Sequence, residues 1–368
     1  MIPFLRLTPG EDAGVVKAAI ARVVDRGWFI LGPELEAFER DFAAACGARH
    51  AVGVGTGTDA IAIALRALGI GPGDEVITAP LSAAYSALAI MMAGARPVFA
   101  EIDPVRLTLD PEAAAAAITP RTAAILPVHL YGQPADMPAI VALAERHALT
   151  IVEDCCQAHL ATCGGRPVGS FGAAAAYSFY PTKNLGALGD GGMLTTTAQD
   201  VAERAMRLRN GGQTDRYRHA VFGVNSRLDE IQAAILRDRL PLLRGWTETR
   251  RSLAQAYRAG TTAAESIAVP PECDPGHVYH LFPIRSRDRD RLQAHLRERD
   301  VETLVHYPVP LPRQPAFASE QPAPCPIADR VCQEVLSLPL YPALPASAVE
   351  QVTAAMSSFR SAHASPTA

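Results

Sequence analysis

The sequence predicts an α/β protein built on a mostly parallel sheet with helices on both faces. Three observations lead there. From about residue 50, short β-rich runs alternate with segments of helical spacing over roughly 150 residues. Ala123 to Val128 is a continuous apolar run, as a strand buried on both faces reads. Near Gly245 the alternation gives way to longer helices and a proline-rich stretch, which marks a second, smaller domain.

The elements run in chain order. Ala51 to Val54 reads as a strand, and Thr58 to Leu68 has apolar residues at helical spacing, closed by Gly69. The turn Gly71-Pro72-Gly73-Asp74 leads into a strand at Glu75–Thr78. A helix is expected over Ser82–Ala93, then a strand at Pro97–Ala100. Asp110 begins a helix with Pro111 at its first position. After the apolar strand come a helix at Asp136–His147 and strands at Leu149–Val152, Ala174–Phe179 and Met193–Thr196. Longer helices are expected at Gln199–Asn210, Ser226–Leu243 and Trp246–Tyr257, a strand at His280–Ile284 and a charged helix at Arg289–Arg299. This gives a large domain over 1–245, a small domain over 246–360 and a frayed tail at 361–368.

Composition narrows the function. Of 368 residues, 49% are apolar and 20% charged, enough to bury a sizeable core and too apolar for disorder. The net charge of −4 lacks the basic footprint of a general nucleic-acid binder. Seven cysteines without a C-x-x-C pair argue against structural zinc and point to free thiols in a reducing compartment. The N-terminus has no signal-peptide core, and no apolar run reaches the ~18 residues of a membrane span. A cytoplasmic protein without metal, membrane or nucleic-acid partner is expected.

In open α/β sheets ligands collect outside the carboxyl ends of the strands, and four such segments carry unusual residues. Gly53-Val-Gly55-Thr-Gly57-Thr58-Asp59 could cradle a phosphate at a helix N-terminus, although an ordinary helix cap explains it equally well. Asp154 ends a buried strand, where a carboxylate calls for a positive partner, or caps the next segment. Lys183 comes after Tyr177-Ser178-Phe179-Tyr180-Pro181-Thr182 and precedes Gly186, Gly189, Gly191 and Gly192, a setting in which burial would make a nucleophilic amine of a routine surface residue. Asn225-Ser226-Arg227-Leu228-Asp229-Glu230 opens a long helix, with Ser226 and Asp229 as a capping pair. A phosphate cradle, an acid and a lysine at separate strand ends are together the parts that pyridoxal phosphate requires.

These segments, with Phe29–Glu34, Gly71–Ile77, Pro127–Gln133, Gly189–Gly192 and His306-Tyr307-Pro308, resemble the DegT/DnrJ/EryC1/StrS sugar aminotransferases over nearly the whole chain. The resemblance implies the fold of aspartate aminotransferase, fold type I, with a mostly parallel seven-stranded sheet and residues 1–20 packing on the small domain. It implies Lys183 as the Schiff-base lysine and proton carrier, Asp154 as the pyridinium partner and Gln157 against one ring face. Gly57, Thr58, Asp59 and Ser178 match phosphate contacts. Asn225 matches a residue reaching the neighbouring subunit's cofactor, which implies a homodimer with shared sites.

His306 and Tyr307 match a strand lining the sugar pocket. Tyr85, two positions beyond the pair Ser82-Ala83, is a candidate for the second ring face. Arg216, with Arg207, Arg209 and Arg218, is a candidate for the nucleotide diphosphate, or simply a solvated charged face. The expected reaction moves an amino group from an amino acid, L-glutamate, to a nucleotide keto-sugar. The stretch Tyr180–Gly192 is most like enzymes acting at C3 of dTDP-3-keto-6-deoxyhexoses. Amination at C4, another cyclic ketone or a dehydratase reaction remain as alternatives. A dehydratase branch carries His where this chain has Lys183.

Overall fold

A computed structural model of the chain describes residues 1–261, 266–320 and 322–361. All of the expected frayed tail except Ser361 lies outside them. Helices α1 (Ala13–Arg26) and α2 (Pro33–Cys46) precede the alternating region. That region runs β1 (His50–Val54), α3 (Gly57–Ala67), β2 (Glu75–Thr78), α4 (Tyr85–Met92), β3 (Arg96–Phe99), α5 (Pro111–Ala116), β4 (Thr122–Leu126), α6 (Met137–His147) and β5 (Thr150–Asp154). A small hairpin of β6 (Thr162–Cys163) and β7 (Arg166–Pro167) leads to β8 (Ala174–Ser178), β9 (Gly192–Thr196) and α7 (Gln199–Arg209).

The seven-stranded sheet has the order β1-β9-β8-β5-β4-β2-β3. β9 runs antiparallel to β1 and β8, and every other neighbouring pair is parallel. Period-2 alternation sends side chains into two cores. Ile77, Ile125, Ile151 and Tyr177 pack under Phe38 and Phe42 of α2, while Val76, Ala124, Val152 and Ala176 pack under α3, α4 and α7. With few aromatics to spend, the second core is largely alanine, valine, isoleucine and leucine, which lets its helices lie close.

Beyond α7 come a hairpin of β10 (Gln213–Asp215) and β11 (Arg218–His219), then α8 (Glu230–Arg239) and α9 (Leu243–Thr261). A third core gathers β12 (Phe282–Arg285), α10 (Arg289–Arg297), β13 (Val335–Leu338) and α12 (Ala346–Ser357) beside α9, while α11 (Pro326–Glu334) packs on the first core. Gly245 sits in the first turn of α9, which runs unbroken across that position. The N-terminal segment divides. Ile2 bridges Val301 and packs, with Leu5, on the third core, but Val16, Ala19 and Val23 of α1 pack on Ala234 and Ile235 of α8.

Several expected boundaries move. The helix expected from Ser82 begins at Tyr85, because Ser82 turns inward to Ser86. The helix expected over Ser226–Leu243 is only α8, succeeded by a tight turn of helix at Leu240–Leu242 and then α9. Ser226 is therefore no helix cap. Its hydroxyl bonds the Gly55 N–H at 2.9 Å and Asp59 Oδ2 at 2.8 Å, and Asp229, the N-cap residue, makes no side-chain cap bond. The segment carrying His306 and Tyr307 is not a strand but an irregular run after an isolated bridge between Leu304 and Ser337. Among the described residues no helix is long and apolar enough to cross a membrane.

Candidate active site

The carboxyl ends of β1, β2, β4, β5 and β8 bring the site together. At the end of β1, Thr56 caps α3 by accepting the Asp59 N–H at 3.0 Å. Asp59 is thus engaged through both its N–H and its carboxylate, which leaves Gly57 and Thr58 at the open helix N-terminus. A Cβ on Gly57 would lie 2.7 Å from Ser178 Cβ and 2.8 Å from Cys156 Sγ. Only glycine lets α3 start this close to the end of β8. The result is a small, dipole-favoured hollow bordered by the Ser178 side chain, suited to a phosphate.

Asp154 ends β5, and its neighbour Glu153 points to the opposite face. Glu153 accepts the N–H groups of Gly169, Phe171 and Gly172 at 2.7, 2.7 and 2.8 Å. His129 accepts the Ala135 N–H at Nδ1, so its Nε2–H donates to Glu153 at 3.2 Å. That carboxylate is structural, and the nearby Cys155 thiol is pushed up by burial and stays protonated. Asp154 is 4% exposed and faces the site. Its Oδ2 accepts the Ser86 hydroxyl at 2.7 Å, and its Oδ1 accepts the Cys156 N–H at 3.0 Å. Two donors aim the carboxylate into the site.

Lys183 sits on an irregular loop after β8, its N–H bonded to the Tyr180 carbonyl at 2.8 Å. Burial pulls its amine below the ordinary lysine value, and Cys156 and Asp154 offset that in part. Gln157 is fixed at both ends of its amide. Oε1 accepts the Tyr131 N–H at 2.7 Å, and Nε2 donates to the Tyr307 hydroxyl at 3.0 Å. The Tyr131 hydroxyl in turn donates to the His306 carbonyl. His306 Nδ1 lies 3.0 Å from the Ser337 hydroxyl, and burial and then Lys183 push its imidazole down to about 4. His159 is fully buried against Tyr177 and Phe179 and is pushed down to about 3 by burial and then Lys183. Among the described residues neither of its ring nitrogens has a partner.

The remaining candidates lie outside this cluster. Tyr85 opens α4 and is 63% exposed; it adds to the shift of the nearby Tyr307 phenol, which burial chiefly pushes up to about 12. Arg216 is exposed beside Tyr217 on the β10–β11 hairpin, and Asn225 is exposed where that excursion returns. Arg209 drops out as a diphosphate ligand, because it is buried, paired with Glu39, and bonded to the Gly53 carbonyl at 2.8 Å. Sequence reasoning did not single out Ser86, Tyr131 or Glu230. Ser86 lies one helical turn from Ser82 and Tyr131 lies inside the Pro127–Gln133 motif, which were the available signals. Glu230 caps α2 from a distance, accepting the N–H groups of Gly32, Glu34 and Leu35 at 3.0, 2.9 and 2.8 Å.

This architecture is that of the pyridoxal phosphate-dependent transferases of fold type I. Residues 12–357 match the DegT/DnrJ/EryC1/StrS aminotransferase family, and the chain belongs to it. It is 50% identical over 350 residues to the dTDP-3-amino-3,4,6-trideoxy-alpha-D-glucose transaminase of Streptomyces venezuelae, covering 93% of this chain and 92% of that one. The crystal structure of S. venezuelae DesV with a ketimine intermediate superimposes with a TM-score of 0.93, at 48% identity and 97% coverage of both chains. NtdA from Bacillus subtilis, solved with bound pyridoxamine phosphate, superimposes at 0.90, with 31% identity and coverage of 96% and 83%. The protein is an aminotransferase whose cofactor is pyridoxal 5'-phosphate.

Proposed function

We propose that the protein moves an amino group from L-glutamate to the C3 carbonyl of a dTDP-activated 3-keto-6-deoxyhexose. The observation that carries this is that Lys183 stands near Asp154, with Gln157 tied to Tyr307 close by, in a chain half identical to a transaminase named for a dTDP-3-amino sugar. The cofactor supplies an electron sink for the bond-breaking step at the amino-bearing carbon.

Each residue has a part. Gly57 and Thr58, with the Ser178 hydroxyl, hold the phosphate at the α3 N-terminus. Asp154 holds a proton on the ring nitrogen, and Gln157, clamped by Tyr131 and Tyr307, covers one ring face. Lys183 anchors the cofactor, and when released carries the proton on Nζ between the substrate carbon and the cofactor. Burial lowers its pKa, which favours the unprotonated amine that both tasks need. His306, Tyr307 and Tyr85 face the sugar. Arg216 on the hairpin and Asn225 beyond it, both exposed, serve the partner's site in a homodimer. The seven free thiols agree with a cytoplasmic setting.

The purified protein with cofactor should be yellow, bleach with glutamate and recolour with a keto-sugar. Lys183→Ala should never form the chromophore, and a colourless wild type would sink the assignment. A panel of nucleotide keto-sugars read by mass spectrometry separates C3 from C4 amination. Ketone release without an amino donor would show a dehydratase instead. A mixed dimer of Lys183→Ala and Asn225→Ala chains should regain activity if the sites are shared.

A further inference from the structure

The residue after the reactive lysine has no part in the chemistry above, yet it is buried and fully engaged. Asn184 is 5% exposed. Its Nδ2 donates to the Val278 carbonyl at 3.0 Å, which fixes the amide and leaves Oδ1 as an acceptor. His280 Nδ1 lies 3.2 Å from that oxygen, so the ring carries its proton on Nδ1. His280 is 7% exposed and is held neutral by burial first, with Lys183, Arg250, His306 and His159 adding to the effect. A neutral imidazole of fixed tautomer therefore grips the lysine loop from the small-domain side.

The gripping segment is itself rigid. Val278 N–H donates to the Gly132 carbonyl at 3.0 Å and Leu281 N–H to the Tyr131 carbonyl at 3.3 Å. Arg250 Nη1 donates to the carbonyls of Tyr279 and His280 at 3.2 and 3.3 Å. Tyr131 is the residue whose N–H orients Gln157. Residues 278–281 thus hold the ring-face residue through Tyr131 and the lysine loop through Asn184. Residues 181–190 form no helix or strand, so beyond backbone bonds such as Ala187 N–H to the Phe179 carbonyl at 2.7 Å, side-chain anchors of this kind set where Lys183 stands.

We propose that Asn184 and His280 are a positioning pair that fixes Lys183, itself half-buried, relative to Gln157 and limits how far its amine meets water. The proposal rests on Lys183 as the reactive amine. Losing the link frees the loop, lets more water reach Nζ and raises the lysine pKa, because burial is the main cause of its depression.

The test uses the cofactor-free protein. Competitive acylation with acetic anhydride across pH, read by mass spectrometry on the Lys183 peptide, reports the titration of that amine alone. Asn184→Ala and His280→Leu should move the midpoint up by about one unit, roughly tenfold less free amine at a given pH. His280→Asn presents an amide N–H where Nδ1–H stands and should remain within about 0.3 unit of wild type. In the loaded enzyme the same two disruptive variants should lower kcat at least tenfold with little change in KM for the sugar.

Unchanged midpoints in Asn184→Ala and His280→Leu would overturn the pair. So would a shift in His280→Asn as large as that in His280→Leu. If His280→Leu does not fold, Asn184→Ala decides alone, since it leaves the three cores untouched. A wild type that never colours with cofactor would count against the assigned function, while the acylation still reads the pair.

Discussion

Asp154→Asn is the substitution for which structure and chemistry give opposite forecasts. The fold should barely notice it. Asp154 receives one donor on each oxygen, Ser86 hydroxyl at 2.7 Å and Cys156 N–H at 3.0 Å. The Cys156 N–H cannot turn, so the asparagine oxygen must face it and the new amide must face Ser86. The Ser86 hydroxyl can rotate to accept, with Ser82 Oγ 3.3 Å away to receive its proton. One neutral hydrogen bond replaces one charged bond, a cost of about 1 kcal/mol. On the proposed role of Asp154, function should suffer far more, because the amide cannot serve as the partner of a protonated ring nitrogen. Removing one member of such a pair costs about 3–5 kcal/mol, or roughly 10²- to 10⁴-fold in rate. Bleaching by glutamate in a single-turnover stopped-flow experiment measures this step, and thermal unfolding of the same protein measures the fold. A glutamate half-reaction within fivefold of wild type would refute the role of Asp154. Unfolding far below wild type would refute the account of its neighbours.

The same geometry sets other outcomes. Gly57→Ala places a methyl 2.7 Å from Ser178 Cβ, an overpacking of about 1–3 kcal/mol, and should weaken cofactor retention on gel filtration roughly 5- to 150-fold as read by absorbance. Lys183 has its pKa lowered in the fold, so the cofactor-free native state binds fewer protons than the unfolded chain. Wild-type stability should therefore rise with pH from the lowered value towards 10.5, and Lys183→Met should lack that rise in urea titrations at several pH values. Glu230→Ala strips the acceptor from three backbone N–H groups at the start of α2 and should cost about 3–5 kcal/mol in denaturant unfolding. Glu230→Gln should recover part of that loss.

Much of the fold was legible because the sheet writes itself locally. Ala123–Val128 announces a buried strand, and Asp110-Pro111 and Asp136 announce helix starts that the structure places at the same residues. The errors fall where a side chain serves a distant partner. Ser82 and Ser226 both look like local helix punctuation, yet one turns towards Ser86 beside Asp154 and the other ties Gly55 to Asp59 across the chain. Arg209 looks like a member of a solvated basic cluster until the fold buries it against Glu39.

The sequence by itself determined the strand–helix alternation, the presence of a lysine, an acid and a glycine-rich helix start at strand ends, and the likeness to one aminotransferase family. These are carried by short-range patterns and by residues whose type is the information. Only the tertiary structure decided how those residues are tuned. Glu153 and Asp154 are neighbours in the chain, and the pleat sends one to brace a loop and the other to the site. Gln157 is oriented by Tyr131 and Tyr307, and Lys183 is desolvated and held by Asn184 and His280. Each is a relation between segments far apart in the chain, set by burial and by hydrogen-bond partners that exist only once the sheet, the loop and the segment around His280 have met.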